Sequence, residues 1–205
     1  VHALSMPLVV NKATGAKFGK SEVGAVWLDP AKTSPTQFYQ FWINIDDADV
    51  ENFLKIFTLL PREEIEQAVK KHQDSPDMRL AQKLLAEEVT KLVHGEAQSG
   101  SATGISKYLT SQVSISDAKE EELAQIRKEI RSLQISRQRS IIDALAQTGL
   151  ASSNSDARRL LSSGAVYING RNVQRENFED SDFENGRLLL RRGKAYKDSA
   201  LIELE

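Results

Sequence analysis

The sequence predicts a mixed α and β chain in three parts: the end of an α/β domain over residues 1–45, a mainly helical bundle over 46–96, and a small α+β module over 140–205. Residues 97–139 are expected to join the last two as a linker and an amphipathic helix. Three observations predict this. Short apolar runs at 8–10 and 26–28 bracket a polar, glycine-bearing stretch, as buried strands bracket a loop. Apolar residues then recur with a helical period through the middle of the chain. Near the end, two short helical segments precede Asn169-Gly170, a strong two-residue hairpin signal, because both turn positions need positive φ.

The elements follow in order. Asp29-Pro30 stops the second apolar run, and Ser34-Pro35 opens a helix, with Ser34 as cap and proline at the first position. That helix carries Phe38, Tyr39, Phe41, Trp42 and Ile43. Such aromatics serve as core packing, as a base-stacking surface, or as an exposed protein-binding face on a helical scaffold; packing is the reading adopted. Asp46 or Asp47 then caps a helix bearing Val50, Phe53, Leu54 and Phe57 at i, i+3, i+4, i+7. Asp46, Asp47 and Asp49 lack the glycine and terminal glutamate of a calcium loop, so they are read as capping and solvated acids. Pro61 starts a further helix, with Glu63 and Glu64 where the dipole favours acids. A longer one through Leu80, Leu84, Leu85, Val89, Leu92 and Val93 ends at Gly95. His94 has no nucleophile or carboxylate beside it and is read as completing the last carbonyls of that helix.

Residues 97–104 are rich in serine and glycine and read as a flexible connector. Residues 118–133 predict an amphipathic helix through Leu123, Ile126, Ile130 and Leu133, with acids first and bases last. It is either a solvated joining helix or a basic arm that touches RNA. Ile141, Ile142 and Leu145 begin a short helix that stops at Gly149. Ser153 followed by Asp156 forms a short-acid capping box, and Gly164 ends the helix it opens. Val166, Ile168 and Val173 flank the hairpin turn, and residues 187–193 and 200–205 predict two more strands.

Composition bounds the possibilities. Hydrophobic residues make up 40% and charged residues 27%, as in ordinary globular chains. The formal net charge of −2 excludes a general nucleic-acid coat, so any RNA contact needs local basic patches. With no cysteine there is no disulfide or thiolate metal site, and a reducing compartment fits. No apolar run approaches a membrane span, and no partner membrane is expected. The chain starts without Met, and is expected to be a piece of a longer protein.

The most specific chemistry lies in KFGKS, residues 17–21. Lys17 and Lys20 can carry point charges to phosphate oxygens, Gly19 lets the backbone approach and change shape, and Ser21 adds a hydroxyl. With its neighbours GAVWLDP at 24–30 and FYQFWIN at 38–44, this stretch resembles the catalytic domain of bacterial-type tyrosyl-tRNA synthetases. There the loop is the Lys-Met-Ser-Lys-Ser signature of class I enzymes; Phe18 and Gly19 depart from it in a way familiar among tyrosyl enzymes. LAEEVTKLVHG, ending at Gly95, is similar to that family's helical domain near the anticodon. SNSDARRLLSSGAVYINGRNV and LLLRRGK resemble the RNA-binding module named after ribosomal protein S-four, which these enzymes carry at their C terminus.

The resemblance implies a Rossmann-type catalytic domain ending over 1–45, an anticodon-region bundle over 46–96, and an S-four-like module over 140–205. It implies a tyrosine–tRNA ligase as parent, with ATP (and magnesium as its counterion, held by no recognisable protein site), tyrosine and tRNA(Tyr) as partners. A homodimer and a cytoplasmic setting are expected for that parent, with the mitochondrion as the other setting. Lys17 and Lys20 would act catalytically, with Gly19 and Ser21 holding ATP. Arg158, Arg159, Arg171, Arg191, Arg192 and Lys194 would face RNA. No His-Ile-Gly-His-like segment or tyrosine pocket can be assigned, so the chain alone is expected to be inactive. The alternative is a non-catalytic RNA-binding protein derived from a synthetase.

Overall fold

The computed structural model describes residues 2–3, 8–10, 26–136, 140–193 and 196–205, arranged as a mixed helical and sheet chain. It divides into two units, Val1–Thr103 and Gly104–Glu205.

The first unit is built from helices. In α1 (Pro35–Ile43), Ser34 Oγ accepts from the Gln37 amide at 3.1 Å, so the predicted cap forms. Phe38, Tyr39, Trp42 and Ile43 are buried, which answers the scaffold reading: this aromatic face is core. Trp42 packs edge-on against Phe53 of α2 (Asp47–Phe57) at 6.4 Å and is tilted against Phe57 at 5.0 Å. After α3 (Arg62–Asp74), Arg79 turns left-handed and donates to the carbonyls of Ile43 (2.8 Å) and Ile45 (3.0 Å), fixing the α1–α2 corner. α4 (Leu80–His94) packs against α1, α2 and α3 and ends at Gly95, where φ is +87°. The His94 ring lies edge-on to Phe38 at 4.9 Å. Its Nε2 is buried without a partner among the described residues, and burial lowers its pKa; the ring is packed rather than capping through that nitrogen.

The expected connector is a correction. Residues 97–104 lie inside α5 (Glu96–Leu109). Each helical glycine costs about 1 kcal/mol relative to alanine, and packing outweighs that. Ala102 is buried in the first unit's core, and Ser99 Oγ donates to the Glu87 carbonyl at 2.9 Å. Small residues allow this close approach.

The second unit contains the last residues of α5, then α6 (Glu120–Glu129), β1 (Arg131–Ile135), α7 (Ile141–Gln147), α8 (Asn154–Ser162), β2 (Val166–Ile168), β3 (Arg171–Val173), β4 (Arg187–Arg192) and β5 (Ser199–Leu204). The strand order is β1-β5-β4-β2-β3, with β1 parallel to β5 and the remaining pairs antiparallel. Alternation along the strands supplies two cores. Leu188, Leu190, Ala200, Ile202, Val166 and Ile168 face the α7–α8 side. Leu189 and Leu201 face the other side, against Ile105, Leu109, Leu123 and Ile126. The helix predicted through Leu133 stops at Glu129, and Leu133 belongs to β1. Its partner Ile202 is distant in sequence, so the pairing that forms this strand leaves no local trace.

The predicted cap forms here, Ser153 Oγ accepting from the Asp156 amide, and the structure adds another, Ser140 Oγ accepting from the Asp143 amide. Asn169 and Gly170 both have positive φ (47° and 81°), as their hairpin requires. Asn169 also accepts from the Leu189 amide (2.8 Å) and donates to the Asp182 carbonyl (2.9 Å), tying the hairpin to two neighbouring segments. A second Asn-Gly turn, Asn185-Gly186, precedes β4.

Candidate functional site

Lys17, Gly19, Lys20, Ser21 and Lys194 lie outside the described residues. The other basic residues expected at RNA can be placed individually. Arg158 and Arg159 stand exposed on α8. Arg159 pairs with Asp156 at 2.6 Å, and Arg158 approaches Glu176 at 3.6 Å. Backbone and side-chain hydrogen bonds from Ser152, with the Arg159 guanidinium, hold the Asp156 carboxyl down at about 2. These surface pairs are individually weak and leave both guanidinia within reach of solvent.

Arg191 and Arg192 are adjacent on β4 and therefore point to opposite faces of the sheet. Arg192 shares a face with its cross-strand partner Val166, on the α7–α8 side. It donates to the Leu150 carbonyl at 2.9 Å and pairs with Asp198 at 3.0 Å. Arg191 pairs with Tyr167 and follows Leu189 on the other face. Its guanidinium carbon lies 5.6 Å from the Tyr167 ring centroid. Arg171 is exposed on the edge strand β3, without an ion-pair or hydrogen-bond partner among the described residues. The structure thus brings Arg192 and the α8 arginines to one side of the sheet, places Arg191 on the other, and leaves Arg171 at the edge.

Arg171 also lines a polar cavity of about 400 Å³ with Asn172, Asn169, Ser111 and Arg175. Arg175 is committed to Asp182 and Glu179 on its wall. The tip of the hairpin closes one end: a Cβ on Gly170 would stand 3.0 Å from Ser111 Cβ. Sequence reasoning missed Tyr167 as a partner of a basic residue. The parity of VYI, with its outer residues buried and its middle one half-buried, was the available signal.

Comparison with known proteins places the chain in a class first. Residues 1–111 match the family model of tRNA synthetases class I (W and Y), and the chain belongs to that family. Residues 122–197 match the model of the tyrosine–tRNA ligase SYY-like C-terminal domain. Its curated relatives narrow the likeness. A tyrosine–tRNA ligase of Staphylococcus epidermidis is 46% identical over 197 residues, covering 94% of this chain and 46% of the relative. One from Streptomyces avermitilis is 42% identical, covering 100% of this chain and 48% of the relative. Tyrosine–tRNA ligase 1 of Bacillus subtilis is 45% identical, covering 93% and 46%. The chain spans about half the length of the curated relatives it matches. Among the described residues no helix is long and apolar enough to cross a membrane.

Proposed function

We propose that this chain works in tyrosine–tRNA ligation: ATP-dependent activation of tyrosine, then transfer of the tyrosyl group to tRNA(Tyr). The observation that carries the reading is the match of two successive segments, a class I synthetase model over 1–111 and a tyrosine–tRNA ligase C-terminal model over 122–197. Residues 1–45 are assigned to the end of the Rossmann-type catalytic domain, 46–96 to the helical anticodon-region bundle, and 140–205 to the S-four-like module.

In the activation step, the tyrosine carboxylate attacks the α-phosphate of ATP, and charge builds on the phosphate and pyrophosphate oxygens. Lys17 and Lys20 neutralise that charge more in the transition state than in the ground state. Gly19, lacking a side chain, admits close approach of the backbone to the phosphates, and Ser21 adds a hydroxyl. The tRNA is held through phosphate contacts of the second unit, with Arg158, Arg159 and Arg192 on one side of the sheet and Lys194 in the same basic segment. Such contacts position the RNA and weaken with salt.

The test is tyrosine-dependent ATP–pyrophosphate exchange by the full-length enzyme carrying these residues. Lys20→Ala should lower the exchange rate by on the order of a hundredfold, the loss that follows removal of one transition-state donor, with tyrosine affinity retained. Equal loss in rate and in tyrosine affinity overturns the assignment. The 205-residue chain alone should show no exchange; exchange by it would contradict the placement of the tyrosine pocket outside these residues.

A further inference from the structure

The face of the second unit's sheet turned away from α7 and α8 carries an arrangement that these roles do not use. Asn172, Tyr167, Arg191 and Ser199 are successive cross-strand partners on β3, β2, β4 and β5. They form one row across the sheet, with side chains on a common face. Leu189 and Leu201, on the same face, lie under the cover of α5 and α6. Asn172 is exposed, and Tyr167 and Arg191 are half-buried.

Arg191 is half-buried, unlike the exposed Arg131 and Arg171, and it differs from the remaining described arginines of this unit in its partners. Arg127, Arg158, Arg159, Arg175, Arg187 and Arg192 all have carboxylate partners. Arg191 has none among the described residues, yet it is partly taken out of water. It has the Tyr167 ring and one long bond, 3.5 Å, to the Leu109 carbonyl at the end of α5. Its Nε and the hydroxyl of its neighbour Ser199 are both buried without a partner among the described residues. Burial lowers the guanidinium pKa, with Tyr167 opposing. A desolvated cation without a counter-charge gains most from an incoming anion. Beside it, Tyr167 offers a flat ring with no hydrogen bond from its hydroxyl among the described residues.

We infer that Tyr167 and Arg191, with Asn172 at the outer edge, form a platform for one unpaired nucleotide of a bound RNA, its base stacked on Tyr167 and its phosphate held by Arg191. The inference rests on the tRNA-ligation reading above, and it assigns single-stranded RNA to the sheet face opposite α8. Stacking on a ring set within a protein face favours an unpaired base, because bases inside a duplex cover one another's π-faces. Acids and bases are about equal in number from 141 to 205, which suits a local contact better than the tracking of a duplex backbone.

Fluorescence anisotropy on the 205-residue chain tests it, with two labelled RNAs: a hairpin with an unpaired loop, and the same stem as a blunt duplex. Tyr167→Leu should weaken loop binding by on the order of tenfold, as loss of one stacked base does, and leave duplex binding unchanged. Tyr167→Phe should bind the loop as the unmodified chain does. Arg191→Gln should lower the slope of log affinity against log salt by about 0.7, one single-strand phosphate contact. A 4-thiouridine in the loop should photo-cross-link to the peptide containing Tyr167 in the unmodified chain, a readout independent of variant folding. Unchanged loop binding by a folded Tyr167→Leu, equal loss on both RNAs, or cross-links elsewhere would overturn the platform while leaving the tRNA reading in place. Absence of any RNA binding by the unmodified chain would remove both.

Discussion

Gly170→Ala probes the joint that seats the β2–β3 hairpin. Gly170 has φ of +81°, and an added Cβ would stand 3.0 Å from Ser111 Cβ and 3.3 Å from Ser111 Oγ. The left-handed backbone costs alanine about 1–2 kcal/mol. The forced contact adds about 1–2 kcal/mol, because Ser111 Cβ is fixed to the backbone and has little room to give. Gly186 is the internal control. It occupies the same position of an Asn-Gly turn at φ +75°, but its nearest neighbour is Leu204 Cβ at 3.9 Å, an ordinary contact. Gly186→Ala should therefore cost only the backbone term. Urea unfolding followed by circular dichroism separates them. With a slope of about 2 kcal/mol per molar urea, Gly170→Ala should lower the midpoint by about 1–2 M and Gly186→Ala by about 0.5–1 M. In a Ser111→Gly background the two costs should become equal. If Gly170→Ala costs no more than Gly186→Ala, or its cost is the same with and without Ser111, the packing argument fails.

Three further outcomes are expected. Arg127 bonds both Glu203 oxygens (3.0 and 2.8 Å) and Glu120 (2.6 Å), tying α6 to β5, and these bonds raise its pKa. Arg127→Met should destabilise by about 1–2 kcal/mol, a charge-assisted bond discounted for partial exposure, and a null effect in urea unfolding would contradict it. The depressed Asp156 carboxyl contributes stability that is present above the unfolded carboxylate range and lost as pH falls toward about 2. Asp156→Asn should flatten the fall in thermal midpoint between about pH 4 and 2, and an unchanged acid limb would count against those hydrogen bonds. Because residues 97–104 are helical, with Ser99 and Ala102 buried, brief digestion by a broad-specificity protease should give no early cut there; early cutting would restore the connector reading.

Local signals were legible where a residue's own chemistry decides the outcome. Ser34-Pro35, Ser153 and Asn169-Gly170 each act within a few residues, and each does what its type dictates. Asn185-Gly186 carried the same turn signal and was overlooked. β1 was illegible because a parallel partner at the far end of the chain creates it. α5 was misread because serine and glycine signal flexibility until a neighbour buries them. The basic residues were visible as types, but their grouping was not. Strand parity separates Arg191 from Arg192, and only the cross-strand register places Tyr167 beside Arg191.

Equilibrium binding of labelled tRNA(Tyr) to the 205-residue chain, titrated across salt and set against a tRNA for another amino acid, tests the central claim most directly. The account predicts saturable binding to tRNA(Tyr) that weakens linearly on a log–log salt plot, with the other tRNA bound more weakly at every salt. No binding, or equal affinity for both RNAs, would contradict it.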